Sequence, residues 1–264
     1  MTAMTTSSTV TAPALPAHRR PLARLVRTEF KLFVRERIGP IWGVGFPIGL
    51  LIIFGFIPAF QKHQAVYGGQ TTLDVYVPIL IAFTTAIMSL SALPTVLGTY
   101  REQGVLRRLQ TTPMGPVRVL AAQLAVQFAT LVAVSAAILI IARFGFSVPL
   151  PRELGAFVIA ALLAMAALLS IGLFVAAVAP TAKVAQAVGT IVFFPMMFFA
   201  GLWLPIASMP KVLQHISHAT PLGAAVQALN DSAQGHWPTA LALGTLAAWA
   251  VVFAALAVRT FRWE

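Results

Sequence analysis

The segment YREQGVLRRLQTTP, residues 100–113, is the most polar part of the chain between two long apolar blocks. Its charged residues and turn formers are Arg101, Glu102, Gly104, Arg107, Arg108 and Pro113. Two membrane helices can be joined by only a few residues, so a charged connection of this length predicts a docking element rather than a linker. We therefore expect this segment to contact another protein at the membrane surface.

The composition of the whole chain is typical of a membrane protein. Hydrophobic residues make up 59% of the 264 residues and charged residues 9%, against roughly 25% charged residues in soluble domains. The mean hydropathy of +0.87 argues against a soluble enzyme. The net charge of +11 does not indicate a nucleic-acid-binding patch, because the Lys and Arg residues are distributed among loops between apolar blocks. The chain has no cysteine, which excludes disulfide bonds and thiolate metal sites.

Six apolar segments are long enough to cross a hydrocarbon core of about 30 Å. The predicted spans are residues 41–60, 73–98, 117–142, 153–179, 184–204 and 239–258. Small residues four positions apart, Gly45 with Gly49 and Gly172 with Ala176, allow close packing of spans 1 and 4. The sequence thus predicts an all-α membrane protein, with residues 21–264 forming one transmembrane domain and a further helical segment between spans 5 and 6.

Two segments precede the first span. Residues 1–20 are rich in Ser, Thr, Ala and Pro, a composition that predicts a disordered tail. Residues 21–38 predict an amphipathic helix in the headgroup layer, with a basic face formed by Arg24, Arg27, Lys31 and Arg35. This helix is either a surface anchor alone or an elbow helix that also contacts a cytoplasmic partner.

The distribution of basic residues predicts the orientation in the membrane. Fourteen of the eighteen Lys and Arg residues lie in residues 1–40 and 99–118, at Lys183, or after the last span. The other four are Lys62, Arg143, Arg152 and Lys211. By the positive-inside rule, both termini and residues 100–113 are cytoplasmic. The helical segment between spans 5 and 6 is then extracellular, and the chain crosses the plasma membrane several times.

The sequence lacks the groups through which a transporter supplies its own energy. No predicted span has a charged residue near its centre, which argues against an ion-coupled carrier. No GxxxxGK[ST] loop for nucleotide binding is present. His215 and His218 have no third metal ligand near them in the sequence, so we expect neither a metal nor a cofactor on this chain. An ion-coupled secondary transporter and a membrane scaffold that transports nothing remain the alternative hypotheses.

Residues 100–124, YREQGVLRRLQTTPMGPVRVLAAQL, resemble the motif R-E-x-G-x-L-x-x-L-x-x-T-P that follows the second span in ABC-2-type ABC transporter permeases. The matching residues are Arg101, Glu102, Gly104, Leu106, Leu109, Thr112 and Pro113. Residues 201–231 are similar to the family's segment between spans 5 and 6, with Gly201, Pro205, Pro210 and Pro221 at comparable spacings. Among the family's branches, the chain most resembles daunorubicin-resistance-type drug-export permeases. Arg107 and Arg108 depart from the pattern, since many relatives carry an acidic residue shortly after the glycine.

The resemblance implies an exporter permease that is not an enzyme by itself. It would work with a second permease subunit, either another copy or a paralogue, and with a separate cytoplasmic ABC ATPase that binds ATP and Mg. Closure of the ATPase would switch the permease between inward-open and outward-open states. The substrate would be a hydrophobic small molecule, a drug, a lipid or a glycoconjugate that leaves the cell.

The resemblance also implies the residues that couple the permease to its ATPase. They are Arg101, Glu102, Gly104, Val105, Leu106, Arg107, Arg108 and Leu109. For Arg101 and Glu102 the alternative is a solvated helix end. For Gly104 the alternatives are close backbone approach and a simple helix interruption. The two adjacent arginines would contact either the ATPase or anionic headgroups.

Spans 2 and 5 contain side chains suited to a substrate path, and in the resembled family these spans face the dimer axis. The predicted path residues are Thr84, Thr85, Ser89, Phe194, Met197 and Phe198. The hydroxyl groups of span 2 would line the path or form hydrogen bonds between helices. The Met and aromatic side chains of span 5 would adapt to apolar ligands or pack against neighbouring helices and lipid.

Overall fold

The computed structural model describes residues 41–105, 108 and 116–260. The predicted tail and the basic face of the predicted elbow helix (Arg24, Arg27, Lys31 and Arg35) lie outside these residues, as do Leu106, Arg107 and Leu109 of the predicted coupling site. The described residues form helices joined by short turns and loops. The predicted all-α fold class is confirmed.

The part of the chain that the structure describes contains nine α-helices. In chain order they are α1 (Phe46–Phe56), α2 (Thr72–Ile87), α3 (Leu93–Glu102), α4 (Pro116–Phe146), α5 (Leu154–Val178), α6 (Ala182–Phe199), α7 (Lys211–Ala219), α8 (Pro221–Gln234) and α9 (Ala240–Thr260). A π turn at Ile41–Gly45 precedes α1, and a second π turn at Met88–Ala92 connects α2 to α3. Short 3-10 turns occur at Pro58–Gln61, Ala65–Tyr67 and Ile206–Ser208.

Among the described residues, five helical segments are long and apolar enough to cross a membrane. They are Thr72–Glu102, Arg118–Phe146, Leu154–Val178, Ala182–Phe199 and Ala240–Thr260. The first predicted span, residues 41–60, corresponds to a shorter apolar helix, Gly43–Phe56. That helix ends where Ile57 becomes extended, because the next residue, Pro58, has no N–H to continue the α-helical hydrogen bonds.

The second span begins with a reciprocal cap formed by its own side chains. Thr71 Oγ1 accepts a hydrogen bond from the Asp74 N–H at 3.1 Å, and Asp74 Oδ2 accepts one from the Thr71 N–H at 2.9 Å. This capping box satisfies an N–H group that the first turn of an α-helix otherwise leaves unpaired. It fixes the start of the helix at the end of the bundle that the charge distribution predicts to be outside.

Span 2 forms the centre of the bundle. Of the residues in its most apolar stretch, 72% are buried, against 17% of those in the corresponding stretch of α9. Helix α3 packs against α5 and α6, α4 packs against α2, and α9 packs along α5. Movement of span 2 would therefore displace most of the helices packed around it, whereas α9 lies at the edge of the bundle.

The segment between spans 5 and 6 is helical, as predicted, and packs into the bundle. Helix α8 lies against α2, α5 and α9, and its residues 221–226 are buried. The backbone N–H groups of Arg152 and Glu153 donate hydrogen bonds to the carbonyls of Ala233 (3.4 Å) and Ser232 (3.2 Å). The segment is thus anchored to the turn before α5 rather than forming a free loop.

Candidate functional site

Arg101, the first basic residue of the predicted coupling motif, binds the end of a distant helix. Its Nη1 donates hydrogen bonds to the carbonyl oxygens of Ala179 at 2.6 Å and Ala176 at 3.2 Å. These carbonyls lie at the C-terminal end of α5, where the last turn has no intrahelical donors. A guanidinium at this position satisfies them and also interacts favourably with the negative end of the helix dipole.

Glu102, the next residue, binds the beginning of the following helix. Its Oε1 accepts a hydrogen bond from the backbone N–H of Ala182 at 2.9 Å, in the first turn of α6. Thr181 Oγ1 accepts a second hydrogen bond at this terminus, from the N–H of Val184 at 3.2 Å. A carboxylate is favoured here because the N-terminus of a helix is the positive end of its dipole.

Gly98, one turn before Arg101, brings α3 into contact with the same turn. A Cβ at Gly98 would lie only 2.7 Å from the Cα of Ala182, so any larger residue would push the two backbones apart. We call the set of Gly98, Arg101 and Glu102, together with residues 176–182 that they contact, the clamp. The clamp joins the end of span 2 to the turn between spans 4 and 5.

The chain changes direction directly after the clamp. Gly104 has a φ of +66°, and its N–H donates a hydrogen bond to the carbonyl of Arg101 at 3.0 Å, which ends α3. Among the described residues, no atom lies within 4 Å of a Cβ placed on Gly104, and the positive φ alone favours glycine here. Arg108 then donates its backbone N–H to the carbonyl of Gly104 at 3.1 Å, so a helical turn follows.

In the middle of span 2, the π turn Met88–Ala92 is held by three other helices. Gln127 on α4 donates its Nε2 to the carbonyl of Met88 at 2.9 Å. Gly172 on α5 and Gly189 on α6 lie so close that a Cβ on either would overlap the carbonyl oxygen of Ser89 or Leu90, respectively. Each glycine thus allows one helix to contact the backbone of span 2 directly.

The sequence contains a local cause for the interruption at this point. Pro94 has no N–H, so it cannot donate to the carbonyl of Leu90, four residues earlier, as a regular α-helix requires. A widened π turn accommodates this loss of a hydrogen bond, and such turns bend helices. Span 2 therefore has an outer half, α2, and an inner half, α3, separated by a turn with altered hydrogen bonding.

The hydroxyl groups predicted to line a substrate path are buried inside the bundle. Thr84 and Thr85 are 0% and 2% exposed, and they donate hydrogen bonds to the carbonyls four residues earlier in α2. Ser89 is also fully buried, in the π turn. None of the three lines a described cavity in this conformation.

Span 5 contributes two of its predicted path residues to an apolar cavity. Phe194 and Met197 line a space of about 510 Å³ between α1, α2 and α6, whereas Phe198 is 40% exposed and lies outside it. The remaining wall is mostly aromatic and aliphatic: Phe46, Leu50, Phe54, Tyr76, Phe83, Ile87, Phe193, Leu202 and Trp203. The sequence did not single out the contribution of α1, because its residues show the same uniform apolarity as a lipid-facing helix.

The histidines considered in the sequence are not brought together with other metal ligands. Within the described ranges, no group of three or more His, Asp or Glu side chains could hold a metal ion. His215 Nδ1 lies 2.7 Å from the carbonyl of Lys211, one turn earlier in α7. His218 lies at a different cavity, near Asp231.

Comparisons with known proteins agree with the membrane architecture. Residues 21–232 match the sequence profile of a family described as ABC-2 type transporter. The matched range includes the clamp, the π turn and most of α8. A search of curated proteins gave no match.

Proposed function

The chain belongs to the ABC-2 type transporter family, and we propose that it is the permease subunit of an exporter driven by a separate ATPase. The family implies the transmembrane component of an ABC transporter, in a protein that crosses the membrane several times and is not itself catalytic. Members of this family generally work with a separate ABC ATPase. Outward transport, coupling through residues 101–109 and the class of substrate are our proposals.

The clamp is the observation that carries this proposal. A motor protein that binds residues 100–113 needs a mechanical connection to the transmembrane helices. Arg101 and Glu102 supply one, because their hydrogen bonds join the end of α3 to the last carbonyls of α5 and the first N–H of α6. A push on the segment after Gly104 would therefore displace the inner ends of spans 2, 4 and 5 together.

We place the bend that this displacement requires at the π turn Met88–Ala92. The turn separates α2 from α3, and its carbonyls face Gln127, Gly172 and Gly189 on three different helices. A helix bends more readily at a π turn than within regular α-helical hydrogen bonding. In this mechanism α3 tilts with the clamp while α2 stays with the outer half of the bundle.

The apolar cavity of about 510 Å³ supports a hydrophobic substrate or a hydrophobic part of one. Cavities of this size and lining are typical of small-molecule sites, and Met and aromatic side chains adapt to ligands of varied shape. Drugs, lipids and the lipid part of glycoconjugates fit this chemistry. The adjacent face of α6 exposes Ile191 (70%) and Phe194 (57%), which would contact a second permease subunit or lipid.

The proposal is tested by purifying the tagged chain from its native membrane. We expect a soluble P-loop ATPase to co-purify, and we expect the purified chain alone to hydrolyse no ATP. Proteoliposomes that contain both proteins should transport a hydrophobic fluorescent probe only when ATP is hydrolysed. Transport that is abolished by an uncoupler at constant ATP would instead show an ion-coupled carrier, and ATP turnover that no substrate stimulates would indicate a scaffold.

The proposed orientation has a separate test that uses the absence of cysteine from the chain. Gln103→Cys places a thiol beside the clamp, and Lys211→Cys places one at the opposite end, at the start of α7; both positions are exposed. On intact cells, a membrane-impermeant maleimide should label the Cys at position 211 and leave the one at 103 unlabelled. The reverse pattern would place the clamp outside the cell and contradict coupling to a cytoplasmic ATPase.

A further inference from the structure

A second cavity, of about 310 Å³, lies at the end of the bundle opposite the clamp. Helices α7 and α8 form one side of it, and the first two turns of α2 form another. One wall is polar, with His218, Gln227, Asn230 and Asp231, and the facing wall is apolar, with Val75, Ile79 and Ile206. The ATPase-coupling mechanism uses none of these side chains.

Two side chains of the polar wall each contain an acceptor oxygen that has no donor among the described residues. These oxygens are Gln227 Oε1 and Asp231 Oδ2, and both atoms are buried. The two residues are four positions apart in α8, so their side chains lie on the same face of the helix. Because a buried acceptor without a donor is costly, a ligand that supplies N–H donors would be stabilised at this point.

The charges around the cavity favour a cation. Asp231 is the one carboxyl group among the described lining residues, and these residues include no Lys or Arg. Burial, and then the nearby His215, lower the pKa of His218, while Asp231 raises it, so burial disfavours a charged imidazole beside the carboxylate. A metal ion is a poor fit, because the described part of the chain brings no three metal ligands together and one cavity wall is hydrocarbon.

We propose that this cavity binds an organic ammonium ion. Its N–H groups donate to Asp231 Oδ2 and Gln227 Oε1, and its apolar body lies against Val75, Ile79 and Ile206. This inference goes beyond the proposed function, because binding at this site requires neither the ATPase nor transport. Failure of ATP-driven transport would leave the binding measurement below unaffected.

The test is calorimetric titration of the purified, detergent-solubilised chain with three probes of similar shape. The probes are 2-phenylethylammonium, the neutral 2-phenylethanol and the anionic 3-phenylpropionate. We expect saturable binding of the ammonium ion, and binding at least tenfold weaker for the alcohol and the acid. Equal affinity for the alcohol would show that the cavity is only an apolar space, and no binding of the ammonium ion would refute the proposal.

Two variants and a matched control locate the site. Asp231→Asn should weaken binding of the ammonium ion at least tenfold, because it removes the charge and keeps the shape. Ile206→Trp should block the apolar wall without changing α8, so it tests the site even if Asp231→Asn impairs folding. Glu153→Gln removes an exposed acidic group that does not line the cavity, so it should weaken binding far less than Asp231→Asn. Undiminished binding by both cavity variants would contradict the assignment.

The pH dependence of binding gives a further readout. Burial raises the pKa of Asp231, whereas a hydrogen bond from the Thr239 backbone and, in their protonated forms, His236 and His218 lower it. The other charged groups nearby are Arg152 and Glu153, whose backbones are bonded to the end of α8. Affinity should rise as the pH increases through the raised pKa of Asp231, with uptake of the cation releasing protons. Affinity that falls over this pH range would overturn the role of Asp231.

Discussion

Glu102 accepts a hydrogen bond at 2.9 Å from the backbone N–H of Ala182, a residue 80 positions later in the chain. Arg101 makes the complementary contact with the carbonyl of Ala179. Two adjacent side chains of opposite charge thus bind the ends of two consecutive helices. The guanidinium binds the negative C-terminal end of one helix, and the carboxylate binds the positive N-terminal end of the next. The motif that resembles an ATPase-docking sequence also holds the permease together at this turn.

Glu102→Ala should separate assembly from coupling. Loss of the carboxylate leaves the Ala182 N–H without this partner, so motion of α3 passes less effectively to α6. We expect substrate-stimulated ATP turnover in proteoliposomes to fall at least fivefold while the ATPase still co-purifies. Glu153→Ala, at an exposed position outside the clamp, is the matched control and should retain turnover. Unchanged turnover in Glu102→Ala would remove the clamp from the mechanism.

Arg101→Ala should destabilise the chain as well as uncouple it. Two carbonyls at the end of α5 lose their guanidinium donor, and hydrogen bonds to a charged group contribute roughly 1.5–3 kcal/mol. Thermal unfolding followed by tryptophan fluorescence should show a lower midpoint than the wild type. Arg143→Ala removes an exposed arginine from the last turn of α4 and, as the control, should lower the midpoint less than Arg101→Ala. If Arg101→Ala unfolded at the same midpoint as Arg143→Ala, the Arg101 hydrogen bonds would contribute no net stability.

Gly189→Ala and Gly172→Ala test the contacts at the π turn. An added methyl group overlaps a carbonyl of span 2 in each case, and overpacking of this kind costs about 1–3 kcal/mol. Both variants should unfold at lower temperature and show reduced transport. Gly244→Ala makes the same change in α9, where no described side chain or neighbouring helix lies within 4 Å of the added Cβ, and should be neutral. If all three variants behave alike, the close approach to span 2 is not important.

Gly104→Ala should weaken the link between the clamp and the ATPase. Alanine in the left-handed region costs about 1–2 kcal/mol, so the turn after α3 would rearrange. Less ATPase should co-purify, and Gly104→Asn should recover part of the loss because Asn tolerates this conformation better. Gly49→Ala is the control, since no neighbouring residue that the structure describes lies within 4 Å of a Cβ there. Full ATPase recovery with Gly104→Ala would argue that the positive φ is not needed for docking.

Leu50→Trp should fill the apolar cavity between α1, α2 and α6. We expect binding of a hydrophobic fluorescent probe to weaken at least tenfold while the ATPase remains bound. Leu241→Trp adds the same side chain to an exposed position of α9 and should leave probe binding intact. Equal probe affinity in the two variants would place the substrate elsewhere.

The sequence predicted the features that depend on local composition and periodicity. The apolar segments predicted the helical class, and their spacing predicted the helical segment between spans 5 and 6. It did not predict the partners of Arg101 and Glu102, because those partners are backbone atoms far away in the chain. Any residue type supplies a backbone carbonyl, so no side-chain pattern marks the turn as a binding surface.

Span 2 shows a second limit of pattern-based prediction. Gly172 was predicted to allow close helix packing, and it does contact a neighbouring helix, but nothing in the sequence pointed to Ser89 as its partner. The predicted path residues Thr84 and Thr85 form hydrogen bonds within their own helix, and their role in a path stays a prediction. The cavity near Asp231 was not predicted, since its lining comes from separate segments that only the fold brings together.

The clamp has a consequence for evolutionary and directed mutagenesis. Arg101 and Glu102 contribute side-chain atoms to the clamp, whereas Ala176, Ala179 and Ala182 contribute only backbone atoms. Exchanges at these three alanines should therefore require no compensating exchange at Arg101 or Glu102, provided that the new side chains fit. Statistical covariation between homologues would then report no link across this joint, although the two sides touch.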